Sequence, residues 1–283
     1  MKYTISGFAD EISPMLDDQI TVIKKLDIHH IEMRGVNKKG LVTCSLEEVK
    51  EIKAQLDANG IRLSSIGSPI GKIQITDPFE EHFELFKHTV EIAKIMETPY
   101  IRMFSFFMPE GEDPAQYKEE VFRRLKMFAD YAKQENVILL HENEKGIYGD
   151  IACRCKEIMD EFYSDNFKAV FDFANFVQCK QDTLEAYEMM KPYVVYIHIK
   201  DAVWETGTVV PAGEGDGHVK ELLGKFFENG YEGFLSLEPH LANFAGFAAL
   251  EQGEEEKKPE IPGEMAYTTA ANALRKILAE LEA

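Results

Sequence analysis

The stretch Val194-Val195-Tyr196-Ile197-His198-Ile199-Lys200-Asp201 decides how this chain is read. Its run of β-branched and aromatic residues reads as a buried strand, with no turn residue before the polar end. Side chains of a strand alternate between two faces. His198 and Lys200 therefore share one face, and Ile197 and Ile199 the other. The apolar pair faces packing, and the polar pair faces a site.

Working outward, the same arrangement recurs. Residues 137–140 form an apolar run that leads into His141-Glu142-Asn143-Glu144. Residues 169–173 carry Asp172, and residues 234–237 lead into Glu238-Pro239-His240. Upstream, residues 5–8, 28–34, 61–66 and 100–105 complete a set of eight strands. Helix signals fill the intervals. Ser13-Pro14 reads as a cap with proline in the first turn, Ser45 to Glu48 as a capping box, and Asp77-Pro78 and Asp113-Pro114 as further starts. The alternation predicts an α/β fold with a parallel sheet. Eight units in 283 residues predict a (β/α)8 TIM barrel that takes up residues 1–283 as a single domain. An open doubly wound sheet would place a glycine-rich phosphate turn after the first strand, and residues 6–11 hold one glycine, Gly7. The connection 241–263 is long for such a fold, apolar at first and then strongly charged, and reads as a lid or a subunit contact in a homo-oligomer.

Net charge is −19, which opposes binding to nucleic acid or to an anionic membrane surface. Cys44, Cys153, Cys155 and Cys179 have neither structural-zinc spacing nor a disulfide pattern. There is no signal-peptide pattern and no apolar run of about 18 residues. A reduced, cytoplasmic setting and a small-molecule substrate are the expectation.

In a barrel of this kind the C-terminal ends of the strands line the active site. Four residues there point to one metal ion. Glu142, Asp172, His198 and Glu238 each follow an apolar run, and alternation aims them at one small mouth. Three clustered carboxylates repel and lose hydration unless their pKa values rise or a cation joins them. Three carboxylates and one imidazole suit Mn²⁺, Mg²⁺ or Co²⁺, with Zn²⁺ or Fe²⁺ as further options. Each acid alone reads equally as a helix cap or a salt-bridge partner. The other polar strand-end residues are candidates for substrate contact: Glu32, Arg34, Arg102, Asn143, Asn175, Lys200 and His240, with Phe8 as a wall. For the cations, ion pairing with the ligating acids is the competing reading.

Leu140-His141-Glu142-Asn143, Val170 to Asn175, Ile197 to Asp201, Gly213-Glu214-Gly215 and Ser236 to His240 together resemble the xylose isomerase-like barrel superfamily. Within it the chain resembles the sugar phosphate isomerase/epimerase group, with its ketose 3-epimerases, inosose dehydratases and endonuclease IV. The resemblance implies a metal-dependent isomerase or epimerase of a ketose or sugar phosphate. Glu142 and Glu238 would then move a proton beside a carbonyl, through an enediolate, from opposite faces of the carbon. An inosose-type dehydratase is the alternative, with His240 or His141 as acid for the departing hydroxyl. A sugar-binding barrel without turnover is the third reading. Asn175 stands where the epimerases typically have a substrate-contacting His. The ends of the third and fourth strands lack the extra His ligands of endonuclease IV, which argues against a three-metal phosphodiesterase site.

Overall fold

A computed structural model describes residues 2–243 and 261–283. Eight strands alternate with helices: β1 (Tyr3–Gly7), β2 (His30–Met33), β3 (Arg62–Ile66), β4 (Tyr100–Met103), β5 (Ile138–Glu142), β6 (Phe167–Asp172), β7 (Val194–Ile199) and β8 (Gly233–Leu237). They form one parallel sheet in the order β1-β8-β7-β6-β5-β4-β3-β2, and β1 and β2 come together at its two ends. The result is the expected TIM barrel, nearly closed. Leu140, Val170 and Tyr196 pack inside it as an apolar layer one step below the polar mouth. The register sets Asp172 directly beside His198, and His198 beside Ser236. No described helix is long and apolar enough to cross a membrane.

The helices are α1 (Leu16–Lys25), α2 (Leu46–Ala58), α3 (Glu80–Met96), α4 (Lys118–Glu135), α5 (Ala152–Phe162), α6 (Phe173–Gln178), α7 (Thr183–Met190), α8 (Val219–Glu228) and α9 (Gly263–Glu282). The Ser45/Glu48 capping box forms as read, with both reciprocal bonds present. Other starts shift. Ser13 Oγ accepts from Met15 N at 3.1 Å, so its turn precedes α1 rather than capping it. Asp77 accepts from Gln74 N, and α3 begins three residues later at Glu80. Asp113 caps a 3₁₀ turn, Pro114–Tyr117, before α4. Helix α6 was not expected. The carboxylate of Asp172 creates it by accepting from Asn175 N at 2.8 Å. The lid or subunit contact placed at 241–263 falls mostly outside the described residues.

Candidate metal centre at the barrel mouth

Glu142, Asp172, His198 and Glu238 are buried together, and each offers a donor atom within 4.8 Å of the other three. Their strands end at the same rim, which is why residues 96 positions apart in sequence meet. His198 is the hub. Its Nδ1 lies 2.9 Å from Glu142 Oε1, 3.7 Å from Glu238 Oε2 and 3.9 Å from Asp172 Oδ2. Its Nε2 lies 3.0 Å from Glu32 Oε2, and Ser236 Oγ donates to the same oxygen at 2.7 Å. Nδ1 is thus the nitrogen aimed at the carboxylates, and Glu32 holds the far side of the ring. A carboxylate behind a ligating imidazole fixes its tautomer and raises its basicity.

Cations thread between the acids. Lys200 Nζ sits 2.8 Å from Glu238 Oε2 and 3.1 Å from Asp172 Oδ2. Arg102 Nη1 reaches Glu142 Oε2 at 3.2 Å, and Arg34 Nη1 reaches Glu238 Oε1 at 3.3 Å. Arg34 also grips Asp10 with two bonds, at 2.8 and 3.0 Å. The ring of Phe8 lies under both guanidiniums, with Cζ atoms 4.5 and 4.9 Å from its centroid, and meets the His198 ring edge-on.

These contacts divide the acids. Burial pushes Glu142 up, but His198 and Arg102 outweigh it and hold its pKa at about 2. Burial also opposes charge on Glu238, yet Lys200 and His240 hold it well below the usual range. Asp172 goes the other way, to about 7, because burial and the charges of Glu238 and Glu142 exceed the pull of Lys200. Burial alone would lower His198, but Glu142 and Glu32 raise it well above an ordinary imidazole. Protons thus take part of the role a cation would have here. The donor set of three carboxylates and one imidazole nitrogen, already converging, fits a divalent ion. Six buried acids (Asp10, Glu11, Glu32, Glu142, Asp172, Glu238) face three permanent cations (Arg34, Arg102, Lys200), a balance that a dication improves.

The other sequence candidates sort by depth. Arg34, Arg102, Lys200 and His240 surround the cluster. Glu32 does not reach the mouth, being spent on His198 and Ser236 from below. Asn143 is likewise turned inward. Its amide donates to Asp172 O at 2.9 Å and accepts from Asp172 N at 3.0 Å, replacing a rung of strand pairing. Asn175 Nδ2 donates to Glu142 Oε1 at 3.3 Å and to Asn143 O at 2.9 Å, bracing the glutamate. His141 points away from the mouth and lies parallel to Phe167, 6.5 Å between centroids; burial lowers its pKa to about 4. It is in no position to serve a leaving group. Asp172 satisfies both of its competing readings, one oxygen capping α6 and the other facing the cluster.

Sequence reading passed over Asp10, Glu11 and Asp201. Glu11 accepts from His240 N at 2.7 Å, and its pKa rises to about 8 through burial, with Arg34 pulling against Glu238 and Asp10. It carries a proton at neutral pH. Asp201 does leave the mouth, as alternation requires. Its carboxylate gathers the amides of Gly213, Gly215 and Gly217 at 2.9, 3.1 and 2.9 Å. A Cβ on Gly215 or Gly217 would stand 2.5 or 2.7 Å from that carboxylate, so these two glycines leave room for Asp201.

Residues 20–277 match the xylose isomerase-like TIM barrel family. The chain belongs to that family. Among curated relatives it is 22% identical to a 3-dehydroshikimate dehydratase of Bacillus anthracis over 171 residues. That match covers 60% of this chain and 61% of the relative. Among solved structures, a D-tagatose 3-epimerase-like protein superposes with a TM-score of 0.74 at 15% identity, covering 99% of this chain and 98% of the other. The IOLI protein, solved with a binding zinc atom, also gives 0.74, at 16% identity and with 98% and 99% covered. At these identities the structural likeness shows the fold. The proteins similar to this chain thus include a 3-dehydroshikimate dehydratase and an epimerase-like barrel.

Proposed function

We propose that this family member is a divalent-metal-dependent isomerase or epimerase that moves a proton on the carbon beside a carbonyl of a small polyhydroxy substrate. One observation carries the reading. Glu142 and Glu238 are both held ionised in the same dry cluster, Glu142 closest to His198 and Arg102, Glu238 closest to Lys200 and Arg34, with His198 and Arg102 reaching both. Two such carboxylates, with substrate between them, provide a base and its partner for returning the proton on the opposite face. A bound divalent ion, held by Glu142, Asp172, His198 Nδ1 and Glu238, would supply positive charge where the substrate carbonyl turns negative. The chain's own groups do the rest. Asn175 and Arg102 fix the Glu142 carboxylate, Lys200 bridges Asp172 and Glu238, and Phe8 shuts off the barrel side of the site. Incubation with candidate ketoses in D2O tests the reading. Deuterium entering one carbon, with the sugar retained, supports it; absence of exchange with every ketose, its phosphate ester and 3-dehydroshikimate contradicts it.

A second reading, dehydration of a cyclic hydroxyketone, starts with the same proton abstraction. It is favoured by a buried acid pair beside Glu238. His240 Nε2 lies 3.5 Å from Glu238 Oε1 and 3.4 Å from the protonated Glu11, placing proton donors where a leaving hydroxyl needs one. The likeness to the 3-dehydroshikimate dehydratase adds to it. Release of water instead of deuterated sugar in the same incubation identifies this reaction.

A further inference from the structure

Next to the carboxylate cluster lies a cavity of about 340 Å³ whose inner wall is formed by Arg34 and Arg102. That size suits a small ring or a short sugar chain. Its charge is opposite to that of the chain. On a protein of net charge −19, the cavity lining presents Arg34, Arg102, Lys38 and Lys39 against one carboxylate, Asp10, while Glu238 and Glu142 meet the two arginines from the cluster side. Asp10 is consumed by its two bonds to Arg34. Lys39 is paired with the exposed Glu48. Lys38 lines the cavity and pairs with no acid among the described residues. Arg102 is 2% exposed, and its Nε is a buried donor with no hydrogen-bond partner among the described residues. Buried donors without partners are rare, and each is a reason to look for a missing acceptor.

The outer wall is built to stay in place. Residues 35–40 form a tight hairpin with Asn37 and Lys38 at its tip, at φ +49° and +64°. The second of these positions favours glycine, yet a lysine occupies it. The hairpin is clamped to α1 and the turn before it. Asn37 Oδ1 accepts from Leu16 N, Gln19 Nε2 donates to Gly35 O, and Lys38 N donates to Pro14 O, each at 3.1 Å. Val36 and Val42 give the cavity apolar sides. A rigid apolar slot with cations at both ends selects a ligand that is anionic as well as hydroxylated.

We infer that the substrate carries an anionic oxygen group, a carboxylate or a phosphate ester, that lies in this cavity against Arg102 and Lys38 while its carbonyl end reaches Glu142 and Glu238. This rests on the carbon-acid reading above and narrows its substrate class. Uncharged ketoses are then poor substrates, and the acid group sets the orientation of the reacting carbon.

The test uses matched pairs on the Mn²⁺-loaded protein: 3-dehydroshikimate against its methyl ester, and D-fructose 6-phosphate against D-fructose, with dissociation constants from calorimetry. At least one charged member binds about tenfold or more tighter than its uncharged partner, the worth of one charge-assisted contact. The pair that shows the preference tells carboxylate from phosphate. Lys38→Met, with its fold checked by circular dichroism, removes about that tenfold and leaves the uncharged ligands unaffected. Equal affinity within both pairs, absence of any anion binding, or a Lys38→Met protein with unchanged preference overturns the inference. Deuterium uptake is scored in parallel. Uptake with uncharged ketoses and no anion preference sinks the inference alone, whereas anion preference without uptake or water loss sinks the carbon-acid reading alone.

Discussion

Glu32→Gln is the sharpest probe of how this site is organised. Glu32 comes from the opposite side of the barrel, 166 residues from His198, and is fully buried behind it. As a carboxylate it can only accept, so it holds the Nε2 proton and leaves Nδ1 as the nitrogen that gives up its proton when an ion binds beside Glu142, Asp172 and Glu238. A glutamine is nearly the same shape but offers an amide. If its NH2 faces the ring, the ring proton moves to Nδ1 and the nitrogen lone pair leaves the cluster. If its oxygen faces the ring, it keeps both His198 and Ser236, but the NH2 takes the place of Oε1, which is buried with no hydrogen-bond partner among the described residues, and the partner charge is gone. Either way the imidazole becomes a poorer ligand. Loss of such a partner costs about 10–100-fold in metal affinity, or roughly 1.4–2.7 kcal/mol. Free Mn²⁺ measured by electron paramagnetic resonance during a titration gives the affinity directly. Activity should recover at saturating Mn²⁺, since Glu32 touches no reacting atom. Unchanged affinity in a correctly folded Glu32→Gln protein would refute the assignment.

Further expectations follow from other parts of the structure. Glu142→Gln and Glu238→Gln should each lower turnover by about 100-fold or more with circular dichroism unchanged, and full activity in either removes it from acid/base work. Asp201→Ala strips one acceptor from three loop amides; urea titration should show a loss of about 2 kcal/mol and protease cleavage within 203–217 should rise, while a change under about 0.5 kcal/mol would show that water replaces the carboxylate. His82 accepts from Gly71 N at 2.7 Å, and burial with the charge of Arg124 lowers its pKa from 6.5 to about 4. The unfolded chain takes up this proton first, so the contribution is complete above pH 6.5 and is lost as pH falls towards 4. At pH 4.5 the wild type should have lost about 2 kcal/mol that a His82→Gln protein does not lose, and parallel stability profiles of the two proteins would contradict this.

The fold was legible because each strand carries a run of apolar residues that ends in chemistry. Alternation from Tyr196 to His198 and from Leu140 to Glu142 held up to the rim, since both apolar residues fill one interior layer and both polar residues stand above it. Sequence reading was weaker where a side chain works at long range. Glu32 looked like one more polar strand end, since nothing near it in sequence shows that His198 and Ser236 close over it. Asn143 and Asn175 looked like substrate contacts because an amide's partners are invisible in sequence, and here both are spent on the strand and on Glu142. Asp201 shows no role in sequence because it faces away from the mouth and its partners are amides 12 to 16 residues further on. Helix starts slipped where Ser13 and Asp77 used their side chains in the preceding turn.

The central claim is that Glu142, Asp172, His198 and Glu238 hold a divalent ion. Elemental analysis of the protein, prepared without chelators and dialysed against metal-free buffer, tests it most directly. One divalent ion per chain, lost in an Asp172→Ala and His198→Ala double variant that keeps its fold, is the predicted result. Protein that contains no such ion and binds none on addition of Mn²⁺, Mg²⁺, Co²⁺, Zn²⁺ or Fe²⁺ would contradict it.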